Sequence, residues 1–423
     1  MGTEIELTVG GIAIDWSKNS MGVDYRELFK KSDLTRRYSD QISYDEDREL
    51  SDRDAAYVRP LSKILPRLEI LGFSLDKAKE EYNNIIIEED TYNDHVSSED
   101  RICFLTFEEF CEFINSHPLN ELDQTYIEDL DGDVRKGKLL EEKNLIDRIP
   151  KAFLFGTSGH YSEASYFRNV VCILNPYSML LIFGLNPENA NAEVVWQYGP
   201  LVDNGWASAD DFKIEERENK ILLVTEGSSD TSIIKHALEL LRPNIVNYFE
   251  FIDMENNYPF TGTGNLFKFA QGLKHIDVLN KIIFLLDNDT EGCIAFNKLQ
   301  ELEMPSNIQA ILLPDLDDFS NFPTKGPDGD SHANINGRAV AIECFLDLEL
   351  KNRPHARIIW SSYKKEVKKR QGALEFKESY TKHFFKSDIK SDNYNTTKLE
   401  IVLDKLLEKA IELSPTIKLD LID

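Results

Sequence analysis

Apolar and polar positions follow two different rhythms along this chain. Residues 4–16 alternate strictly: Ile5, Leu7 and Val9, then Gly10-Gly11, then Ile12, Ile14 and Trp16. A period of two broken by Gly-Gly predicts a β-hairpin. Residues 56–71 put Leu61, Ile64, Leu65, Leu68 and Leu71 on one side of a predicted helix, with Pro66 as a candidate kink. FEEFCEFINS, residues 107–116, predicts a short amphipathic helix. In residues 165–206 the runs VVCIL, MLLIF and VVWQY are separated by NPYS and NPENANA, and they predict strands closing an N-terminal sheet. Residues 40–54 and 119–133 are acidic and rich in turn formers, as exposed loops are. The acidic stretch 209–220 marks a domain boundary.

From Lys220 the rhythm becomes regular. KILLVT, VNYFEFI, KIIFLL and NIQAILL read as strands. Helices are predicted between them: 230–242 with Ser229 as N-cap, 265–273, and one from Thr290 to about 303. Strands alternating with helices of this length imply a parallel sheet covered on both faces. The fold expected is α/β, with a Rossmann-like parallel sheet in the C-terminal part and an α+β domain in front. The expected divisions are 1–215, 216–350 and a C-terminal extension, 351–423, packed on the middle domain.

Composition narrows the class. The chain has 423 residues, enough for two or three domains, with 41% hydrophobic and 29% charged residues. No apolar run approaches the length of a membrane span, and the start MGTEIELTVGG lacks a secretory pattern. Five scattered cysteines without CxxC argue against a disulfide framework or a zinc site. A cytoplasmic protein without membrane association is expected.

Net charge is −27, which weighs against general nucleic-acid binding. Residues 351–390 nevertheless carry twelve Lys or Arg against four Asp or Glu. That asymmetry predicts one cationic face on an acidic body, or simply a solvated basic helix.

Candidate chemistry sits at strand ends. KILLVTEG ends in Glu226-Gly227, and 61 residues later KIIFLLDNDTEG carries Asp287, Asp289 and Glu291. Ligands collect beyond the carboxyl ends of strands in such sheets. Residues two apart on an extended strand face the same side, so Asp287 and Asp289 can face one ion. Mg²⁺ takes hard oxygen donors in this way. Glu226 comes from another strand and suits a metal ligand or a proton carrier.

Asp315, Asp317 and Asp318 could extend the acidic patch, although a turn after Pro314 favours Asp on its own account. Gly262, Gly264 and Asn265 precede a predicted helix, where backbone amides can hold a phosphate or merely make a turn. Lys364, Lys365, Lys368, Lys369 and Arg370 form a basic rim beside Trp360 and Tyr363, which could stack on bases or pack in a core. DLDGD (Asp129 to Asp133) places its Gly wrongly for an EF-hand, and His160, His236 and His332 match no catalytic arrangement. GxxxxGK[ST] is absent, which excludes a P-loop ATPase.

Glu-Gly after one strand and D-x-D with a further acid after another resembles the Toprim domain of topoisomerases, bacterial primases and OLD-family nucleases. The resemblance covers about 220–350. It implies that Glu226, Asp287 and Asp289 are catalytic, with Glu226 as general acid/base and the Asp pair on metal. Glu291 stands where topoisomerases have a third Asp. TGTGN is similar to the Gly-rich turn of OLD-type nucleases, which would put Gly262, Gly264 and Asn265 against substrate. GRAVAIECFLDL resembles their IEnYL-type segment, where Glu343 would reach a second metal. EIELTVGGIAIDWSKNSMG resembles the N-terminal domain attached to HEPN or Toprim domains in bacterial defence proteins. No ATPase domain, CxxC zinc site or topoisomerase Tyr module accompanies these motifs.

The expectation is a nuclease using one or two Mg²⁺ or Mn²⁺ ions, held by Glu226, Asp287, Asp289, Glu291 and Glu343. Its substrate would be DNA or RNA, gripped also by Lys364, Lys365 and Lys368. By resemblance it is a bacterial anti-phage or abortive-infection effector. The acidic N-terminal half points to a protein partner, a sensor or self-assembly. The alternatives are a regulatory module with a structural metal and a primase-like nucleotidyl transferase.

Overall fold

The computed structural model describes residues 2–38, 49–93, 102–128, 133–151, 160–214, 220–252, 263–276, 278–327, 329–350, 353–365, 367–389 and 393–414. They fall into two compact units that divide between 216 and 217.

The first unit contains β1 (Glu4–Val9), β2 (Ile12–Lys18), β3 (Leu34–Arg36), β4 (Ala55–Pro60), α1 (Leu61–Ile70), α2 (Leu75–Asn93), α3 (Phe107–Asn115), α4 (Lys143–Ile146), α5 (Glu163–Val171), α6 (Pro176–Phe183), β5 (Glu193–Trp196) and α7 (Gly199–Asp203). Its sheet runs β2-β1-β5-β4-β3, with antiparallel neighbours. The β1–β2 turn needs its glycines, because Gly10 and Gly11 have φ of +56° and +81°. Trp196 of β5 is buried and meets Tyr25, Tyr57 and Phe212. Helix α3 is held by Thr106 and Glu109, each bonding the other's backbone amide.

Two expectations fail here. Residues 56–60 are strand rather than helix, because β4 pairs with β5 and the helix begins only at Leu61. VVCIL and MLLIF are not strands. VVCIL begins in the last turn of α5, and MLLIF lies in α6. Asn175 caps α6 by accepting from the Ser178 amide, and Pro176 takes the first turn. Every residue of α6 from Tyr177 to Phe183 is buried, so its sequence shows no amphipathic period. Asp129 to Gly132 of DLDGD and most of the 40–54 loop lie outside the described residues, and Asp133 pairs with Lys136 at 2.6 Å.

The second unit contains β6 (Ile221–Thr225), α8 (Ser228–Leu241), β7 (Phe249–Phe251), α9 (Thr263–His275), β8 (Ile282–Leu286), β9 (Asn288–Asp289), α10 (Thr290–Gln300), β10 (Ile308–Leu312), β11 (Phe322–Gly326), β12 (Gly329–Ala333), β13 (Ala339–Val340), β14 (Ile358–Lys364), β15 (Lys369–Leu374), α11 (Lys377–Lys386) and α12 (Thr397–Glu412). A parallel sheet runs β10-β8-β6-β7. The chain is thus a mixed α/β protein with a helix-flanked parallel sheet. Leu266, Ala270, Leu273, Ala295 and Leu299 of α9 and α10 pack on Ile282, Phe284 and Leu286 of β8. Helix α8 begins at Ser228, with Gly227 rather than Ser229 before its first turn, and the Gly227 amide donates to Asp230.

A second sheet, β12-β11-β14-β15, includes the basic segment. Among the described residues no single helix is long and apolar enough to cross a membrane. All five cysteines are unbridged.

Candidate acidic site at the carboxyl ends of the parallel strands

β6 and β8 are direct neighbours, with Thr225 opposite Leu285. Their carboxyl ends therefore emerge side by side, and Glu226 and Asp287 follow immediately. The Asp287 amide donates to Glu226 Oε1 at 3.1 Å. Asp289 forms the N-cap of α10, its Oδ1 accepting from the Gly292 amide at 2.7 Å. Gly292 is needed here, because a Cβ would collide with the Asp287 carbonyl and approach Glu226 Oε1 to 3.0 Å.

Asp230 and Glu343 complete the cluster. Asp230 lies in the first turn of α8. Glu343 is 3% exposed and lies in a short 3₁₀ turn after β13. Their charges act on one another and on Asp287: the Glu343 carboxylate raises the pKa values of both Asp230 and Asp287.

Burial pushes Glu226 up to about 8, helped by the Asp289 charge. Asp287 is held well above the usual carboxylate range by burial and then by Asp230, Glu226, Asp289 and Glu343. Burial also raises Asp230 and Asp289. Carboxylates gathered with too little compensating charge retain protons or take up a cation.

Among the described residues, Lys364 and Lys377 reach the rim. Lys364 of β14 pairs with Glu291 at 2.6 Å, and Lys377 of α11 stands 3.9 Å from Glu343. Gln371 of β15 donates to Asp289 Oδ2 and accepts from the Thr290 amide at 2.9 Å.

Each clustered side chain ends in a carboxylate, the donor type that hard divalent cations take. The side chains are not gathered for ligation as they stand. Among the described residues no group of three His, Cys, Asp or Glu is arranged to hold a metal ion. Asp289 and Glu291 face hydrogen-bond and ionic partners instead.

The other sequence candidates scatter. Asp315 accepts from Asn288 Nδ2 at 2.6 Å, a bond that braces the loop carrying Asp287 and Asp289. Asp318 pairs with Lys398 at 3.2 Å. Lys365 and Lys368 are exposed at the β14–β15 turn and do not join the acids. Gly264 and Asn265 lie in the first turn of α9, and Gly262 lies outside the described residues. Thr263, Gly264 and Phe267 line a cavity of about 300 Å³ together with Glu291, Lys298 and Lys364. Tyr363 is 56% exposed, whereas Trp360 packs beside Gly372 and Gly326.

Sequence reading missed Asp230, Lys377 and Gln371. Asp230 had a signal, an acid four positions after Glu226 in the first turn of α8. Gln371 had none, because the contact joins positions 81 and 82 residues apart.

The site's strands begin at Ile221, and residues 1–220 match the family HEPN/Toprim N-terminal domain 1, more than half of the chain. The chain belongs to the HEPN/Toprim N-terminal domain 1 family. This family's name ties its domain to HEPN and Toprim partners, a pairing that suggests a defence-type nuclease family. No curated protein and no solved structure matches the chain. The HEPN/Toprim N-terminal domain ends one residue before β6, so the family match contributes none of the clustered acids.

Proposed function

We propose that the second unit is a Toprim-type nuclease domain that hydrolyses phosphodiester bonds in DNA or RNA with Mg²⁺ or Mn²⁺. The observation that carries this reading is the meeting of Glu226 and Asp287 at adjacent ends of a parallel sheet, where the Asp287 amide donates to Glu226 Oε1 at 3.1 Å and the charges of Asp230 and Glu343 raise Asp287. An HEPN/Toprim N-terminal domain in front of such a sheet supports it. Glu226, Asp230, Asp287, Asp289 and Glu343 would hold one or two cations, with Glu291 joining on release from Lys364. A bound cation would supply charge for a phosphoryl oxygen and a polarised water.

Glu226 carries the proton chemistry. With its pKa near 8 it keeps a proton at neutral pH before charge enters the site, and it is placed to exchange that proton with an attacking or leaving oxygen. Asp287 contributes fixed negative charge once compensated. Lys364 and the exposed Lys365 and Lys368 offer phosphate contacts on the β14–β15 hairpin. In the cell the protein would act in bacterial defence, with its acidic N-terminal domain meeting a protein partner or a second copy.

The test is cleavage of plasmid, single-stranded DNA and total RNA by purified protein with Mg²⁺ or Mn²⁺, beside Asp287→Ala and Glu226→Ala. Cleavage lost in EDTA and in both variants is expected. Cleavage persisting in both would overturn the assignment. Chain extension on addition of nucleoside triphosphates would replace it with nucleotidyl transfer.

A further inference from the structure

The β14–β15 hairpin has two unlike faces. One grips the rest of its unit: Lys364 pairs with Glu291 at 2.6 Å, Lys369 Nζ donates to the Gly337 carbonyl at 3.4 Å, and Gln371 bonds Asp289 and the Thr290 amide. Successive strand residues alternate sides, so Tyr363 and Arg370 belong to the other face. They stand directly opposite one another in the register.

A bulge brings Trp360 onto that second face. Trp360 faces Gly372 and Ser362 faces Gln371, which leaves Ser361 as an extra residue. Gly372 and Arg370 are two apart on β15, so their partners Trp360 and Tyr363 share a side although three positions separate them. Strict alternation would have put the two rings on opposite sides. Ser361 Oγ donates to the Gln371 carbonyl at 3.2 Å across the bulge.

Glycines on both neighbouring strands make room for the indole. A Cβ on Gly372 would lie 2.9 Å from Trp360 Cε3, and one on Gly326 of β11 would lie 3.4 Å from both Trp360 Cδ1 and Arg370 Nη1. The half-buried indole thus lies across two positions that have no side chain, with the Arg370 guanidinium beside it. Glycine inside a strand marks places where another group comes close to the backbone. Tyr363 is 56% exposed. Among the described residues no acid pairs with Arg370, Lys365 or Lys368. The hairpin sequence 358–374 holds five Lys or Arg against the single acid Glu366, in a chain of net charge −27.

We propose that the face formed by Trp360, Tyr363 and Arg370 is a stacking platform for single-stranded nucleic acid. Two aromatic rings and a planar guanidinium offer flat surfaces to unpaired bases, and Lys365 and Lys368 at the turn meet the phosphates. A duplex keeps its base faces stacked on one another and has none to offer the rings. An acidic peptide would answer the cations but not the rings. The inference rests on the nucleic-acid reading of this unit and narrows the partner to unpaired strands; it needs neither a cation nor cleavage.

The test is fluorescence anisotropy in EDTA with the full chain and labelled single-stranded DNA, single-stranded RNA, duplex DNA and polyglutamate, each variant checked for folding by circular dichroism. Single strands of either sugar should bind, and the duplex should bind at least about tenfold more weakly. Tyr363→Ala should weaken single-strand binding about tenfold, and Tyr363→Phe, which keeps a ring, should stay within about twofold of wild type. Arg370→Gln should lower the slope of log affinity against log salt by about 0.7. Binding should quench tryptophan fluorescence, and Trp360→Phe should abolish the quenching.

Wild-type affinity in Tyr363→Ala, quenching that survives Trp360→Phe, or no binding of any single strand would overturn the proposal. Duplex or polyglutamate bound as tightly as single strands would also overturn it. Metal-dependent cleavage by a protein whose single-strand affinity ignores Tyr363→Ala would remove the platform and leave the nuclease reading standing. Ring-dependent binding by a protein that cleaves nothing would uphold the platform and remove the nuclease reading instead.

Discussion

The Asp287 amide donates to a carboxylate oxygen of Glu226 at 3.1 Å, across 61 positions of sequence. That bond fixes the relative height of two strand ends and brings two carboxyl side chains together in a buried setting.

Asp287→Asn keeps the side-chain volume and removes the charge that burial and four neighbouring acids oppose. In EDTA at neutral pH the variant should melt at least about 2–4 °C higher than wild type, the shift expected for roughly 1 kcal/mol in a unit of this size. It should also lose Mn²⁺-induced stabilisation and cleavage. A lower melting temperature in EDTA would contradict the crowding argument.

The pH dependence follows from Glu226. Its folded pKa, about 8, lies above the ordinary 4.5, so the folded state binds the proton more tightly than the unfolded one. Stability in EDTA should be highest at the acid end of this window and fall as pH rises from about 4.5 to about 8. Glu226→Gln should flatten that decline. Urea unfolding at pH 5, 6, 7 and 8 measures it, and the extra stability conferred by Mg²⁺ should grow over the same interval.

Lys364→Ala removes the partner of Glu291. Both side chains are partly exposed, so the change in stability should stay below about 1 kcal/mol. Nucleic-acid binding should weaken, and the slope of log affinity against log salt should fall by about one unit if the ammonium contacts a phosphate. Fluorescence anisotropy between low and moderate salt separates these effects. An unchanged slope would confine Lys364 to its role beside Glu291.

Gly292→Ala places a methyl group against the Asp287 carbonyl. The backbone must yield, at a cost of about 1–3 kcal/mol. Denaturant unfolding measures that loss, and cleavage should fall by more than the stability loss alone explains, since the displaced atoms carry Asp287 and Glu226.

The parallel sheet was legible because each of its strands is short, apolar and bounded by turn or cap residues, as in KIIFLLDND. Their order was legible only in outline, and the second sheet that holds Gln371 was not, since β11 and β14 pair across more than thirty positions with little alternation. In the first unit MLLIF was misread because it is buried all round, and an apolar run without period does not distinguish helix from strand. The deciding information lay outside the run, in Asn175-Pro176, a cap followed by a first-turn proline.

For the site, strand ends disclosed Glu226 and Asp287 but not how their neighbours are engaged. The pairing of Glu291 with Lys364 depends on a hairpin more than seventy residues away in sequence. Asp230 was hidden by its second occupation, since an acid in the first turn of a helix needs no function beyond bonding the Gly227 amide.

Asp289 fastens the opening turn of α10 while facing the other acids. Whatever draws its Oδ1 away, whether an ion or a proton, unlatches one particular N–H, that of Gly292. Solvent deuterium uptake at that single amide thus becomes a gauge of the state of the pocket, readable without substrate or turnover.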